Sequence, residues 1–78
     1  MKIEDSEYFE ISGANRIVFK NGKYSGQTLD EVRLVSKFYL PYLKFRANSS
    51  VDKKILKEVL AGKEERNIYE QYFATEES

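Results

Sequence analysis

The residues best suited to chemistry lie in one stretch, Phe19-Lys-Asn-Gly-Lys-Tyr-Ser-Gly-Gln-Thr-Leu-Asp-Glu-Val32. Gly22 and Gly26 stand four apart, Lys20 and Lys23 flank the first of them, and Tyr24 lies between. Glycine lets backbone amides approach an anion closely, lysine supplies a point charge, and a loop that runs straight into a helix N-terminus adds partial positive charge. Downstream, Tyr42, Lys44 and Arg46 repeat the combination of aromatic face and cation. The chemistry implied is non-covalent. Lys20, Lys23, Lys44 and Arg46 are candidate phosphate contacts, Tyr24 or Tyr42 a base-stacking platform, and Gly22 and Gly26 points of close backbone approach. This is not a Walker loop, because the GxxxxGK[ST] spacing is missing and Asp30 and Glu31 make the following helix start a poor seat for a triphosphate. The competing structural reading places both glycines in turns that require positive φ and packs Tyr24 on a hairpin.

Covalent catalysis finds little to work with. The 78 residues include no histidine and no cysteine, which removes imidazole bases, thiol nucleophiles, disulfides and the usual zinc sites. A two-metal nuclease needs several converging carboxylates, yet the acidic residues fall at the two ends and at helix starts. Asp30 and Glu31 are better explained by helix capping and the macrodipole. The sequence therefore predicts no enzyme, no metal and no cofactor. Its zero formal charge is layered: residues 1–15 carry a net −3, residues 16–57 a net +7 and residues 58–78 a net −4. A basic middle between acidic ends either meets an anionic partner or folds back on its own ends.

The elements that must position these groups follow from local patterns. Tyr8, Phe9 and Ile11, then Arg16 to Lys20, form two β-prone runs around the turn cluster Ser12-Gly13-Ala14-Asn15, predicting a hairpin with a four-residue loop and Ile17 and Phe19 facing inward. Thr28 with Glu31 fits a capping box opening a first helix that ends near Ser36, with Leu29, Val32, Val35 and Leu34 as its apolar stripe. Phe38 to Phe45 reads as a second helix with Pro41 in its first turn. Ser49 or Ser50 caps a third through Ala61, carrying Ile55, Leu56, Val59 and Leu60, with Gly62 as the stop. A last helix of about Glu64 to Ala74, within the segment 62–75, offers Ile68, Tyr69, Tyr72 and Phe73, and residues 76–78 form an acidic tail. The fold class is α+β: a small single domain, 1–78, with an N-terminal β-hairpin packed on three to four short helices. The expected core is Ile17, Phe19, Leu29, Val32, Leu40, Leu43, Ile55, Leu56 and Val59.

With Tyr39-Leu40 and Tyr42-Leu43 following, the Gly-rich stretch resembles the small C-terminal domain of exodeoxyribonuclease X-like proteins and the related quorum-sensing-regulated virulence factor family. Phe19, Gly22, Lys23, Tyr24, Gly26, Thr28, Glu31, Val32, Tyr39, Leu40 and Leu43 match that pattern in place, over residues 17 to about 60. Ser25 and Gln27 stand where the family usually has lysine, Tyr42 where tryptophan is frequent, and Pro41 interrupts the second helix. The resemblance implies work near nucleic acid, since such domains occur beside exonuclease domains and in phage-type proteins, and no exonuclease catalysis carries over.

Two functions compete on these grounds. One is a non-catalytic accessory module that binds single-stranded DNA or RNA, or a nucleic-acid-processing protein, through the basic Gly-rich loop. The other is a small phage-type protein-interaction module or inhibitor docking on a host enzyme, favoured by neutral charge, six tyrosines and acidic ends. The N-terminus lacks the apolar run of a signal peptide and no stretch approaches a membrane span, so a cytoplasmic location and no membrane partner are expected.

Overall fold

A computed structural model describes residues 2–74; the acidic tail expected at 76–78 lies outside the described residues. A 3₁₀ turn at Ile3–Asp5 precedes strands β1, Phe9–Ile11, and β2, Ile17–Phe19. The two pair antiparallel, with Phe9 opposite Phe19, Glu10 opposite Val18 and Ile11 opposite Ile17. That register puts Phe9, Ile11, Ile17 and Phe19 on one face, and the rings of Phe9 and Phe19 touch with centroids 4.8 Å apart. Two strands alone are marginal in water, so this face must be covered.

The cover is four helices: α1, Leu29–Val35; α2, Tyr39–Arg46; α3, Ser50–Leu60; and α4, Glu65–Tyr72. The α+β architecture is as the sequence predicts, and every residue of the expected core is buried, joined by Phe9, Ala47, Val51, Ile68, Tyr69 and Phe73. The local start signals also operate. Thr28 Oγ1 accepts from the Glu31 amide while the Glu31 carboxylate accepts from the Thr28 amide, closing the capping box at α1. Ser49 is the N-cap of α3 and accepts from the Val51 amide. Pro41 sits in the first turn of α2, where its missing N–H costs least.

Three expectations need correction. The hairpin connection runs over five residues, 12–16, because the Ser12 amide still bonds the Arg16 carbonyl beyond the end of the strands and leaves a three-residue tip. Asn15, at φ 59°, takes the left-handed position there, which asparagine tolerates better than most residues. Leu34 and Val35 are exposed, not part of the buried stripe. At about 100° per residue Leu34 points away from Leu29 and Val32, and α1 ends before its apolar side comes round again. Leu60, at the last turn of α3, is likewise exposed.

Two buried carboxylates tie the elements together. Asp52, in the first turn of α3, accepts from the Ser6 hydroxyl and from the amides of Glu7 and Tyr8, and Ser6 Oγ in turn accepts from Phe9 N. Glu65, opening α4, accepts from Arg16 and from the Ile17 and Asp30 amides, and its own amide donates to Asp30 Oδ1. Among the described residues no helix is long and apolar enough to cross a membrane.

Candidate functional site

The Gly-rich loop is closed on itself. Gly22 and Gly26 have φ of 91° and 89°, a conformation that other L-residues enter only with strain. The Gly26 amide donates to Phe19 O at 2.7 Å, the Gln27 amide to Tyr24 O at 3.0 Å and the Ser25 amide to Gly22 O at 3.3 Å. Phe19 N donates back to Gln27 O, and Val18 bridges Thr28, so the loop returns alongside β2. Those three amides are therefore spent on the turn. The start of α1 is spent too, on the capping box and on the Asp30–Glu65 contacts. The Thr28 amide and hydroxyl bonding to Glu31 hold its carboxyl below the usual range, which keeps a negative charge at the helix entrance.

What the loop does position is an aromatic series. A Cβ on Gly22 would stand 3.1 Å from the Tyr39 hydroxyl, so glycine lets the loop lie against that ring. Tyr24 meets Tyr39 edge to face at 4.8 Å, Tyr39 approaches Phe19 at 6.1 Å, and Tyr42 continues the series at 6.3 Å from Tyr39. Cations sit at both ends: Lys23 Nζ is 5.5 Å from the Tyr24 ring centre, and the Arg46 guanidinium is 5.7 Å from that of Tyr42. Arg46 Nη1 also lies 3.3 Å from the Tyr42 hydroxyl. Lys23, Tyr24, Tyr42 and Arg46 are thus brought together by Tyr39, which sequence reasoning named only as part of the family pattern. Lys20 is exposed at the end of β2. Lys44 does not join them. It is two residues from Arg46, about 160° away around the helix.

The larger feature is the outer face of α2. Phe38 is 76% exposed, Tyr42 52% and Phe45 90%, and the end of α1 adds Leu34 at 85% and Val35 at 64%. Phe38, Tyr42 and Phe45 follow at i, i+4 and i+7, one stripe of a helix, while Leu40, Leu43 and Ala47 form the opposite, buried stripe. A helix apolar on both sides belongs in an interior; α2 has core on one side only. Sequence reasoning assigned Leu40 and Leu43 of this helix to the core and Tyr42 to a stacking role, and gave Phe38 and Phe45 no role, so the exposed stripe as a whole went unread. The signal that could have found it was the second stripe, offset from Leu40 and Leu43.

No family model matches the chain, and no curated protein or solved structure is significantly similar to it. The site must therefore be read from its own geometry.

The remaining polar features serve the fold. An open concavity of about 520 Å³ lies between the hairpin tip and the start of α4, but Arg16 in its wall is engaged by Glu65 and Arg66 by Glu70. Glu65 raises the Arg16 pKa above its ordinary value, first by hydrogen bonding and then by charge. Glu58 and Lys63 pair at 2.6 Å, which pushes the carboxyl down and the ammonium up. Among the described residues no three carboxylates gather as a metal would require.

Proposed function

We propose that the chain is a non-catalytic interaction module that docks on another protein through the end of α1 and the outer face of α2. The observation that carries this reading is the exposure of Leu34, Val35, Phe38 and Phe45 within twelve residues of chain. Scattered single apolar residues on a surface mean little, but an exposed aromatic stripe along one helix face, here Phe38, Tyr42 and Phe45, has the composition of an interface core. Neutral overall charge fits a protein target better than a polyanion. The test is affinity capture from a nuclease-treated cell lysate with the wild-type chain and with a Phe38→Ser/Phe45→Ser variant. Proteins retained by the first and lost by the second support docking. Capture that vanishes on nuclease treatment, and that the double variant leaves intact, overturns it.

A second reading, binding of single-stranded DNA or RNA, is favoured by the tyrosine series with Lys23 and Arg46 at its ends and by the family resemblance. It ranks second because the Ser25, Gly26 and Gln27 amides are committed to the turn and Lys44 lies elsewhere on α2. If Lys20, Lys23 and Arg46 each met one phosphate, log affinity would fall against log salt with a slope of about −2, at about −0.7 per contact. Fluorescence anisotropy of a labelled 20-nucleotide strand measures that slope, and no binding at low salt removes the reading.

A further inference from the structure

We infer that the partner of the α1–α2 face is an acidic amphipathic helix, laid along the Phe38–Tyr42–Phe45 stripe with its carboxylates meeting Lys37 and Arg46. This rests on the docking reading and names its partner class. The shape argument is the stripe itself: residues 38, 42 and 45 span about 10 Å of helix axis, a length that two turns of a facing helix cover. Leu34 and Val35, just before Phe38 in the chain, are also exposed apolar side chains, at the end of α1.

Charge selects the occupant. From Val32 to Val51 the chain carries Arg33, Lys37, Lys44 and Arg46 and no carboxylate; Glu31, one turn before Leu34 and Val35 on α1, is exposed but bonded to Thr28 in the capping box, and α2 itself carries no carboxylate. Asp52, which ends that run, is buried and bonded to the N-terminal segment, so it offers the face no negative charge. Arg33 is turned away, its guanidinium donating to Lys63 O at 3.0 Å. Lys37 and Arg46 instead lie on the apolar stripe, 5.5 Å from the Phe38 ring centre and 5.7 Å from that of Tyr42. Burial of those rings under a neutral partner would strip water from two cations with nothing to pair them. A helix with carboxylates along its apolar stripe supplies the pairs as it covers the rings.

The alternatives fit less well. A second copy related by a two-fold axis brings the same cations into one interface. A nucleic acid satisfies the cations but leaves Leu34, Val35 and Phe45 without apolar cover. An anionic lipid surface would have to take Lys37 and Arg46 inward with the rings they lie on, whereas interfacial helices hold their cations toward the headgroups.

The experiment uses three synthetic 20-residue helical peptides with one Leu/Phe stripe and Glu, Gln or Lys at the positions flanking it, titrated against the full chain. The expected order is Glu, then Gln, then Lys, with at least about tenfold between the first two at low salt and a difference that shrinks toward 1 M salt. A Lys37→Glu/Arg46→Glu variant reverses the order, and Phe45→Ser weakens all three. Both variants alter exposed side chains, and circular dichroism checks their fold. Equal affinity for all three peptides, lost in Phe45→Ser, overturns the acidic partner and leaves docking standing. No peptide binding, together with a Phe45-dependent dimer in sedimentation or with binding to phosphatidylserine vesicles, assigns the face to a second copy or to lipid and overturns the inference.

Discussion

Arg16, just before β2 at the base of the hairpin tip, and Glu65 in the first turn of α4 meet in a two-point contact, Nε to Oε2 at 2.7 Å and Nη2 to Oε1 at 3.2 Å. The carboxylate is 1% exposed and the guanidinium side chain about half exposed, at 49%. The pair is therefore unequal. Water can replace Glu65 around Arg16, but nothing on the inner side can replace Glu65 for the Ile17 amide, 3.0 Å from Oε2. Glu65 thus joins hairpin, α1 and α4, since its oxygens serve Arg16, Ile17 and Asp30 while its amide is held by Asp30 Oδ1.

That inequality predicts an order of effects. Glu65→Ala should destabilise by about 3 kcal/mol, because it leaves buried amides without an acceptor as well as breaking the ion pair. Glu65→Gln, which keeps one carbonyl oxygen, should cost less, and Arg16→Ala least. Urea denaturation of the three variants checks the order; an Arg16→Ala loss as large as that of Glu65→Ala would mean that the ion pair, and not the amide contacts, dominates.

Gly22 is expected to be intolerant of a side chain for two reasons that add. Its φ is 91°, and a Cβ there would meet the Tyr39 hydroxyl at 3.1 Å. Gly22→Ala should therefore destabilise by at least about 1 kcal/mol and disturb the Tyr24–Tyr39 contact, visible in near-ultraviolet circular dichroism. Gly13→Ala is the control: no heavy atom lies within 4 Å of its Cβ position, and its Tm should barely move.

What could be read from the sequence was local. Thr28 and Glu31 are three apart, Ser49 precedes its helix directly, and Ile17 and Phe19 alternate in a strand; each pattern spans at most one helical turn or a few residues of strand, and each holds. The roles of Asp52 and Glu65 could not be read that way, because the groups that satisfy them lie 44 to 49 residues distant in most cases. The same limit explains the tyrosine series, where Tyr24 and Tyr39 meet only once α1 has turned the chain back. Leu34 and Val35, expected in the apolar stripe of α1, failed for a different reason. Apolar periodicity reports that a side chain prefers cover, and says nothing of whether the chain itself or a partner provides it.

Leu56 tests the core directly. It is fully buried on α3, the helix on which α2 and α4 both pack, and a small domain has little surplus stability. Leu56→Ala should cost about 2 to 5 kcal/mol, whereas Leu60→Ala, one turn on and exposed, should be close to neutral. A Leu56→Ala protein with unchanged Tm would show that the α3 core is wrongly placed.

The capping box makes a prediction about acid stability whose sign follows from the bonds. Glu31 accepts from the Thr28 amide at 3.0 Å, and that bond, with the Thr28 hydroxyl second, lowers its pKa in the fold. A carboxyl with a lower pKa folded than unfolded stabilises the protein above the unfolded value and loses that contribution as the pH falls through the folded one. Glu31→Gln should therefore melt below wild type at neutral pH, and the gap should narrow as the pH drops below the ordinary glutamate value of about 4.3. Thr28→Ala should lower stability by about 1 kcal/mol through the lost cap, but it retains the backbone amide that bonds Glu31 and so most of the acid-side slope. Melting curves of wild type and both variants from pH 7 to pH 3 separate the two effects. If Thr28→Ala flattened the slope as fully as Glu31→Gln, the hydroxyl rather than the amide would be the main partner of Glu31.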